Sequence, residues 1–180
     1  MVYLVLIIGS ILIILASIAL AVVIINLLLL LLIRVPYVNT PPSYLKKIIS
    51  DIEINKGAAI YDLGCGSGDF LRLTDKFEPA ICIGLEISPW AYLIATLKNW
   101  RFKKVTIKLK DFFKEDLNGA DFVYVYLLPR LMHKLAEKLK QELKSGAQIL
   151  TIGSPLPDWE VKKKIVLDEK INYYAYLYII

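Results

Sequence analysis

The chain has few of the residues that bind metals or form disulfide bonds. Its 180 residues include two cysteines and one histidine. A zinc site needs several such ligands at short spacings, and a thiol redox site commonly uses a CxxC pair, so the sequence predicts neither. We expect Cys65 and Cys82 to be reduced residues of the core and His133 to lie on a helix surface. No metal site is predicted.

Charge is absent from the first 33 residues. About 20 consecutive apolar residues are enough to cross a bilayer as a helix. A secretory signal peptide would have a basic start and a shorter apolar stretch, and a buried core helix is the other alternative. We predict that residues 1–33 form a transmembrane anchor. The first positive charges follow at Arg34, Lys46 and Lys47, which places the residues after the anchor in the cytoplasm.

Nucleic acid is not an expected partner. The net charge is +5, but the cations are spread along the chain and form no platform together with aromatic residues. The one dense basic cluster is Lys162–Lys164, on a predicted late strand. It is either a solvated strand face or a contact for anionic lipid or an acidic partner.

The segment after the anchor is predicted to be an extended link followed by a short helix. Pro36 and Pro41 favour extended backbone before them. Thr40 is predicted to cap a helix that begins at Pro41 and continues to about Ile54. We therefore divide the chain into an anchor over 1–33, a link and helix over 34–57, and one main domain over 58–180.

The main domain alternates between strands and helices. Five predicted strands contain AAIYDLG, AICIGLE, KVTIKLK, DFVYVYLL and AQILTIG. Apolar strands separated by helices are typical of a parallel sheet that is covered on both faces. Two further strands, VKKKIVLDE and INYYAYLYII, are predicted to form a hairpin at one edge. The expected fold is α/β with seven strands, mostly parallel.

A glycine-rich stretch, DLGCGSG, follows the first predicted strand. In an open α/β sheet, ligands bind at the carboxyl ends of the strands. Gly64, Gly66 and Gly68 would let the backbone turn sharply and let a ligand approach without Cβ atoms in the way. The spacing is GxGxG and not the dinucleotide pattern GxGxxG, because Asp69 stands where the third glycine would be.

Three acidic residues lie at the ends of three successive strands. Asp62 ends the first strand, Glu86 the second and Asp111 the third. A carboxylate at Glu86 can accept hydrogen bonds from both hydroxyls of a ribose. Asp111 can accept from the adenine amino group while Phe112 covers the ring. Each acid separately could be a helix cap, but the three in register favour a ligand that contains adenosine.

The domain resembles the membrane-anchored lysine methyltransferases that act on the ATP synthase c subunit and the adenine nucleotide translocase. The resemblance runs from Pro36 to about Trp159 and is carried by PYVNTP, DLGCGSG, LEISPW, KDFF, LLPRLMHKLAEKLKQEL and SPLPDW. It implies a Rossmann-like class I methyltransferase fold with S-adenosylmethionine (SAM) as cofactor. It also implies that Asp62 holds the methionine ammonium, while Ile87, beside Glu86, contributes to the cofactor site.

The acceptor site is predicted to lie after the fourth strand. Tyr126 and Pro129 are expected to line the amine, with Thr40, Pro41 and Trp159 at the entrance. Methyl transfer from a sulfonium to an amine depends on positioning, and burial beside the sulfonium lowers the pKa of the attacking lysine. Tyr126 could instead be a core residue, and Trp159 a structural lid.

The expected substrate is a lysine of a membrane protein, close to the cytoplasmic surface. A tether raises the effective concentration of any acceptor in the same membrane. Two alternatives remain open from the sequence. One is a methyltransferase for small molecules or lipids, and the other is a non-catalytic nucleotide-binding module held at the membrane.

Overall fold

The computed structural model describes residues 2–33 and 39–180. Pro36, the first of the two link prolines, lies outside the described residues. Helix α1 spans Val2–Ile33. Within it, Val2–Ile25 has a mean hydropathy of 3.0 and no buried share, so by length and composition this helix can cross a membrane.

The main domain contains four described helices and seven described strands. The helices are α2 (Pro42–Asp51), α3 (Asp69–Leu73), α4 (Pro89–Asn99) and α5 (Met132–Glu142). The strands are β1 (Ala59–Leu63), β2 (Ile81–Glu86), β3 (Val105–Leu109), β4 (Phe122–Val125), β5 (Gln148–Ile152), β6 (Lys163–Asp168) and β7 (Tyr173–Ile179). Short 3-10 turns occupy Thr74–Phe77, Phe112–Lys114 and Pro129–Leu131.

The strands form one sheet in the order β3-β2-β1-β4-β5-β7-β6. The pairs among β1 to β5 are parallel, whereas β7 is antiparallel to both β5 and β6. The predicted mostly parallel sheet with a closing hairpin is therefore confirmed. Strand order reverses at β1, which has β2 on one side and β4 on the other, so a crevice is expected at the carboxyl ends of β1 and β4.

Two clusters of buried apolar side chains cover the sheet. The first includes Ile48 of α2, Phe70 of α3 and Ala95 of α4. The second includes Leu135 and Leu139 of α5. Helices on both sides explain why the strands are almost continuously apolar. Both cysteines are free and buried, as expected.

The predicted cap at Thr40 is wrong by one residue. Helix α2 begins at Pro42, its N-cap residue is Pro41, and no side chain caps it. The Thr40 hydroxyl instead lies 2.7 Å from the Tyr124 hydroxyl. At its other end the helix stops at Asp51, before the predicted Ile54, because Ile52 adopts extended backbone and both isoleucines enter the core.

Candidate active site

An open cavity of about 310 Å³ lies at the carboxyl ends of β1 and β4. Asp62 and Tyr124 face each other there as register partners of the two strands. In open α/β sheets, ligands bind at such a switch point. The lining consists of Asn39, Thr40, Leu45, Asp62, Gly64, Cys65, Gly66, Asp69, Phe70, Tyr124 and Tyr126.

The glycine loop between β1 and α3 forms one wall of this cavity. Gly64, Gly66 and Gly68 all have left-handed backbone, with φ of 76°, 55° and 70°. A Cβ atom on Gly68 would lie 2.5 Å from Asn99 Nδ2. That amide donates to the backbone oxygen of Ser67, and so the end of α4 braces the loop. The loop conformation therefore excludes larger residues.

Glu86 ties the end of β2 to the glycine loop. Its Oε2 accepts from the Gly66 N–H at 2.9 Å, and its Oε1 accepts from the N–H groups of Ile87 and Ser88. Burial raises the pKa of this carboxyl, and the three N–H groups oppose the shift. A carboxylate has about four lone-pair sites, so Glu86 keeps room for a ligand hydroxyl while it holds the loop.

Asp62 has no partner among the residues that the structure describes. Its side chain is buried, and across residues 2–33 and 39–180 no hydrogen-bond donor or cation contacts its carboxylate. Burial raises its pKa well above the ordinary value, and the negative charge of Glu86 adds to the effect. A buried carboxylate without a partner is costly, so the site suits a ligand that brings an ammonium group.

Asp111 and Phe112 lie at the end of β3, outside the cavity lining. The Asp111 Oδ1 accepts from the Phe113 N–H at 2.9 Å and caps the short turn that follows. The rings of Phe112 and Phe113 are 4.4 Å apart. The three predicted acids thus lie along one edge of the sheet, at the ends of neighbouring strands.

Hydroxyl groups line a second part of the cavity, beside Asp62. Tyr124 and Tyr126 follow one another along β4 and its continuation, and both line the cavity. The Thr40 hydroxyl contacts Tyr124, and Tyr173 donates to the Tyr126 hydroxyl at 3.3 Å. Burial raises the pKa of Tyr124, and the nearby Asp62 raises it further, so this phenol is neutral.

Two tyrosines linked to the Tyr126 hydroxyl were not predicted, and neither is part of the cavity lining. Tyr173 comes from β7 and Tyr44 from α2, and their rings are 5.7 Å apart. The Tyr44 hydroxyl donates to Asp168 Oδ2 at 3.4 Å. The sequence signal for Tyr173 was the tyrosine-rich stretch INYYAYLY. That stretch does not show which of its tyrosines contacts Tyr126 on a distant strand.

Three further predicted residues are not part of the cavity lining. Pro41 is the N-cap residue of α2, and Pro129 opens the turn after β4. Trp159 packs edge-on against Tyr178, with ring centroids 6.1 Å apart, and belongs to the cluster on the α5 side. Its role at the entrance stays a prediction.

The remaining polar groups of the lining do not supply a nucleophile. Burial raises the pKa of the Cys65 thiol, so it is protonated at neutral pH. Asp69 is occupied by Arg72 and by the Ser67 hydroxyl. Neither side chain is therefore activated as a nucleophile.

Comparison with known proteins identifies the domain. The family model described as the ANTKMT methyltransferase domain matches residues 62–163, more than half of the chain. A protein-lysine N-methyltransferase of Saccharolobus islandicus is 30% identical, with 82% of this chain and 94% of that protein covered. The adenine nucleotide translocase lysine N-methyltransferase of Mus musculus is 31% identical over 71% of this chain. The chain spans only 57% of the mouse protein's length.

Solved structures show the same fold. An RNA methyltransferase from Salinibacter ruber, in complex with S-adenosyl-L-homocysteine, superposes with a TM-score of 0.72 at 23% identity. The match covers 79% of this chain and 94% of that one. Aeropyrum pernix fibrillarin with bound SAM gives 0.60 at 18% identity, covering 77% and 73%. By its family match, its class I fold and the geometry of its glycine loop, the chain belongs to the ANTKMT methyltransferase domain family and is a SAM-dependent methyltransferase.

Proposed function

We propose that this enzyme transfers methyl groups to the side-chain amine of a lysine in a membrane protein. The observation that carries the proposal is a single cavity with two kinds of lining. Asp62, which has no partner among the described residues, and the glycine loop form what we call the cofactor wall, and the hydroxyls of Thr40, Tyr124 and Tyr126 form what we call the acceptor wall. The names of the relatives support the acceptor. They are lysine methyltransferases, directed in mouse at the adenine nucleotide translocase and in Xenopus laevis at the ATP synthase c subunit.

The cofactor wall is proposed to hold SAM by charge and by backbone. Asp62 would pair with its ammonium group, and the remaining lone pair of Glu86 would accept from a ribose hydroxyl. Asp111, Phe112 and Ile87 would surround the adenine end. Gly64 and Gly66 would lie against the part of SAM between its ammonium group and its adenine ring. When bound, SAM supplies a methyl group that is attached to a positively charged sulfur. After the transfer, that sulfur is part of a neutral thioether.

The acceptor wall is proposed to position the amine. The oxygens of Thr40, Tyr124 and Tyr126 can accept hydrogen bonds from a lysine nitrogen and so direct its lone pair toward the cofactor wall. None of these hydroxyls needs to act as a base, because the lysine ammonium loses its proton to water before attack. Burial beside a positive charge favours the neutral amine. Catalysis then depends on orientation and on exclusion of water.

The anchor is proposed to hold the site at the cytoplasmic face of the membrane. Charged residues begin only after α1, which supports this orientation. Cys65 and Cys82 are buried, so a cysteine placed at the exposed Lys170 would be the reactive thiol. A membrane-impermeant reagent should label that variant only after the membrane is opened. Labelling in intact cells would show that the domain faces the outside, which is the opposite of the proposed orientation.

The acceptor can be identified with labelled SAM. We expect the full-length enzyme, added to or expressed in its native membranes, to transfer label to protein and to give methyl-lysine by mass spectrometry. If label were recovered only in lipid or small molecules, the acceptor would belong to that class and not to the proteins. Deleting residues 1–33 should slow methylation of acceptor embedded in membranes much more than methylation of the same acceptor in detergent. Equal rates on membranes would make the anchor irrelevant to substrate choice.

A further inference from the structure

Helix α4 presents an apolar stripe to the outside of the domain. Trp90, Leu93, Leu97 and Trp100 are exposed by 54%, 46%, 63% and 71%. Their spacing of three and four residues places them on one face, which we name the α4 face. The opposite side of the helix enters the core through Ala91 and Ala95. A contiguous apolar patch of this kind marks a contact surface on a soluble domain.

The charged residues of α4 and of the segment that follows it, up to residue 110, all have the same sign. From residue 87 to residue 110 the sequence contains six lysines and arginines and no acidic residue. Lys108 and Lys110 pair with Glu115. The other four have no ion pair within the described ranges, 2–33 and 39–180, and they are exposed; they are Lys98, Arg101, Lys103 and Lys104.

Tryptophan beside unpaired cations is the composition of a membrane interface. Indole rings prefer the level of the lipid headgroups, and each cation near an anionic leaflet adds attraction. The Arg101 guanidinium lies 4.9 Å from the ring of Trp100, so the two groups can enter a headgroup layer together. Charge complementarity therefore favours an anionic lipid surface over a purely apolar partner.

The position of α4 in the fold also favours a lipid surface as the partner of the α4 face. Helix α1, the helix long and apolar enough to span a membrane, contacts α4. The four apolar side chains nevertheless stay exposed beside it. A helix next to a membrane-spanning segment lies near the bilayer, and an amphipathic helix in that place buries its apolar face at the headgroup boundary.

We infer that the α4 face docks on the surface of an anionic bilayer, with Trp90, Leu93, Leu97 and Trp100 among the headgroups and the four unpaired cations against lipid phosphates. The inference rests on the proposal that residues 1–33 anchor the chain. Docking would fix the orientation of the domain as well as its distance from the membrane. Glu86 and Ile87 directly precede α4, so contact through this helix would set the orientation of the cofactor edge relative to the membrane.

Tryptophan fluorescence tests the docking. The full-length chain is reconstituted into vesicles with brominated acyl chains, made of phosphatidylcholine alone or of phosphatidylcholine and phosphatidylglycerol in equal parts. The Trp159→Phe variant keeps Trp90 and Trp100 as probes, and we expect strong quenching in the anionic vesicles and less in the neutral ones. The control variant Trp90→Phe/Trp100→Phe keeps only Trp159, which should not be quenched in either. High salt should reduce the difference between the two lipids.

A matched pair of substitutions checks that the apolar stripe is responsible. Leu97→Glu places a negative charge in the α4 face and should abolish the quenching of Trp90 and Trp100. Ile171→Glu makes the same change at a residue of similar exposure, 66% against 63%, in the β6–β7 turn, and should leave quenching unchanged. Lys98→Gln should lower the ratio of docked to undocked chains about fivefold, the effect of one cation near an anionic surface.

Flotation of the same vesicles separates the possible failures. Chain that does not float with vesicles would overturn both the anchor and the docking. Chain that floats while Trp90 and Trp100 remain unquenched in both lipids would overturn the docking and leave the anchor standing. A Leu97→Cys variant that forms disulfide-linked dimers in the vesicles, without quenching, would assign the α4 face to a second copy of the chain.

Discussion

The two walls of the cavity are built in different ways. The cofactor wall consists of loops that directly follow β1 and β2, and backbone N–H groups bound to the Glu86 carboxylate fix its shape. The acceptor wall is assembled from the residues before α2, from β4 and from β7, and hydroxyl contacts join them. A single neutral hydrogen bond contributes only about 0.5–1.5 kcal/mol. We therefore expect the cofactor wall to tolerate little change and the acceptor wall to tolerate more.

The largest effect should follow from Gly68→Ala. The new Cβ would meet Asn99 at 2.5 Å in backbone with φ of 70°. Left-handed strain and overpacking together should cost about 2–5 kcal/mol in the free energy of unfolding. SAM affinity should fall as well, because the loop must shift. Chemical denaturation and calorimetry would measure both effects.

Gly57 provides the control for that prediction. It has a similar φ of 78°, but nothing lies within 4 Å of an added Cβ. Gly57→Ala should therefore show the strain alone, about 1–2 kcal/mol, with normal SAM binding. Equal losses of stability in the two variants would mean that the contact with Asn99 does not constrain the loop.

Asp62→Asn should separate binding from stability. The substitution removes the charge that would pair with the ammonium of SAM, so binding should weaken by about 1.5–3 kcal/mol. The unliganded protein should become more stable, by roughly 1–3 kcal/mol, because an unpaired buried carboxylate is removed. Calorimetry and thermal unfolding without SAM would measure the two effects. A variant that is both less stable and normal in binding would contradict the assignment.

The pH dependence follows from the same carboxyl. Its pKa in the folded chain lies well above the ordinary 3.8, so the folded state binds its proton more tightly than the unfolded state does. The destabilising contribution is absent below 3.8 and grows as the pH rises to the folded pKa. The stability advantage of Asp62→Asn should therefore vanish in acid. SAM affinity of the unsubstituted enzyme should fall as the pH drops below the folded pKa, since binding needs the charged form.

The glycine loop and the acids at the strand ends could be predicted from the sequence because their signals are local. Gly64, Gly66 and Gly68 lie within five consecutive residues, and their spacing alone indicates a tight loop. Asp62 and Glu86 lie at the ends of their strands. The sheet was predictable for the same reason, since alternating strands and helices leave few arrangements. The second role of Glu86, three hydrogen bonds from backbone N–H groups, was not visible because it depends on the path of the glycine loop.

The acceptor wall was only partly predictable because its contacts join distant parts of the chain. The sequence singled out Thr40 and Tyr126, but it assigned Thr40 to a helix cap. In the fold this hydroxyl reaches Tyr124, 84 positions along the chain. Tyr173 reaches Tyr126 only because β7 inserts beside β5. Such contacts depend on topology and have no local signature.

Tyr126→Phe should have a moderate effect that is confined to the acceptor. Loss of one hydroxyl should lower kcat/KM for the acceptor by about 2- to 10-fold, the range for one hydrogen bond. SAM affinity and stability should change little, because Tyr126 is only partly buried and its hydroxyl bonds to Tyr173 of β7. Titration with SAM and steady-state kinetics would show the difference. A large loss of SAM affinity would move Tyr126 to the cofactor wall.

The smallest effect is expected from Tyr44→Phe. Its bond to Asp168 is long, at 3.4 Å, and exposed groups can replace it with water, so the loss should be below about 0.5 kcal/mol. The ring, which packs 5.7 Å from that of Tyr173, is retained. Tyr44→Leu removes the ring and should impair acceptor turnover more, because Tyr173 then loses the neighbour that orients its hydroxyl toward Tyr126. A double-mutant cycle with Tyr173→Phe measures whether the two tyrosines act together. If Tyr44→Phe alone matched Tyr126→Phe, the hydroxyls would form one continuous network from Asp168 to the cavity, and the acceptor wall would be as intolerant of change as the glycine loop.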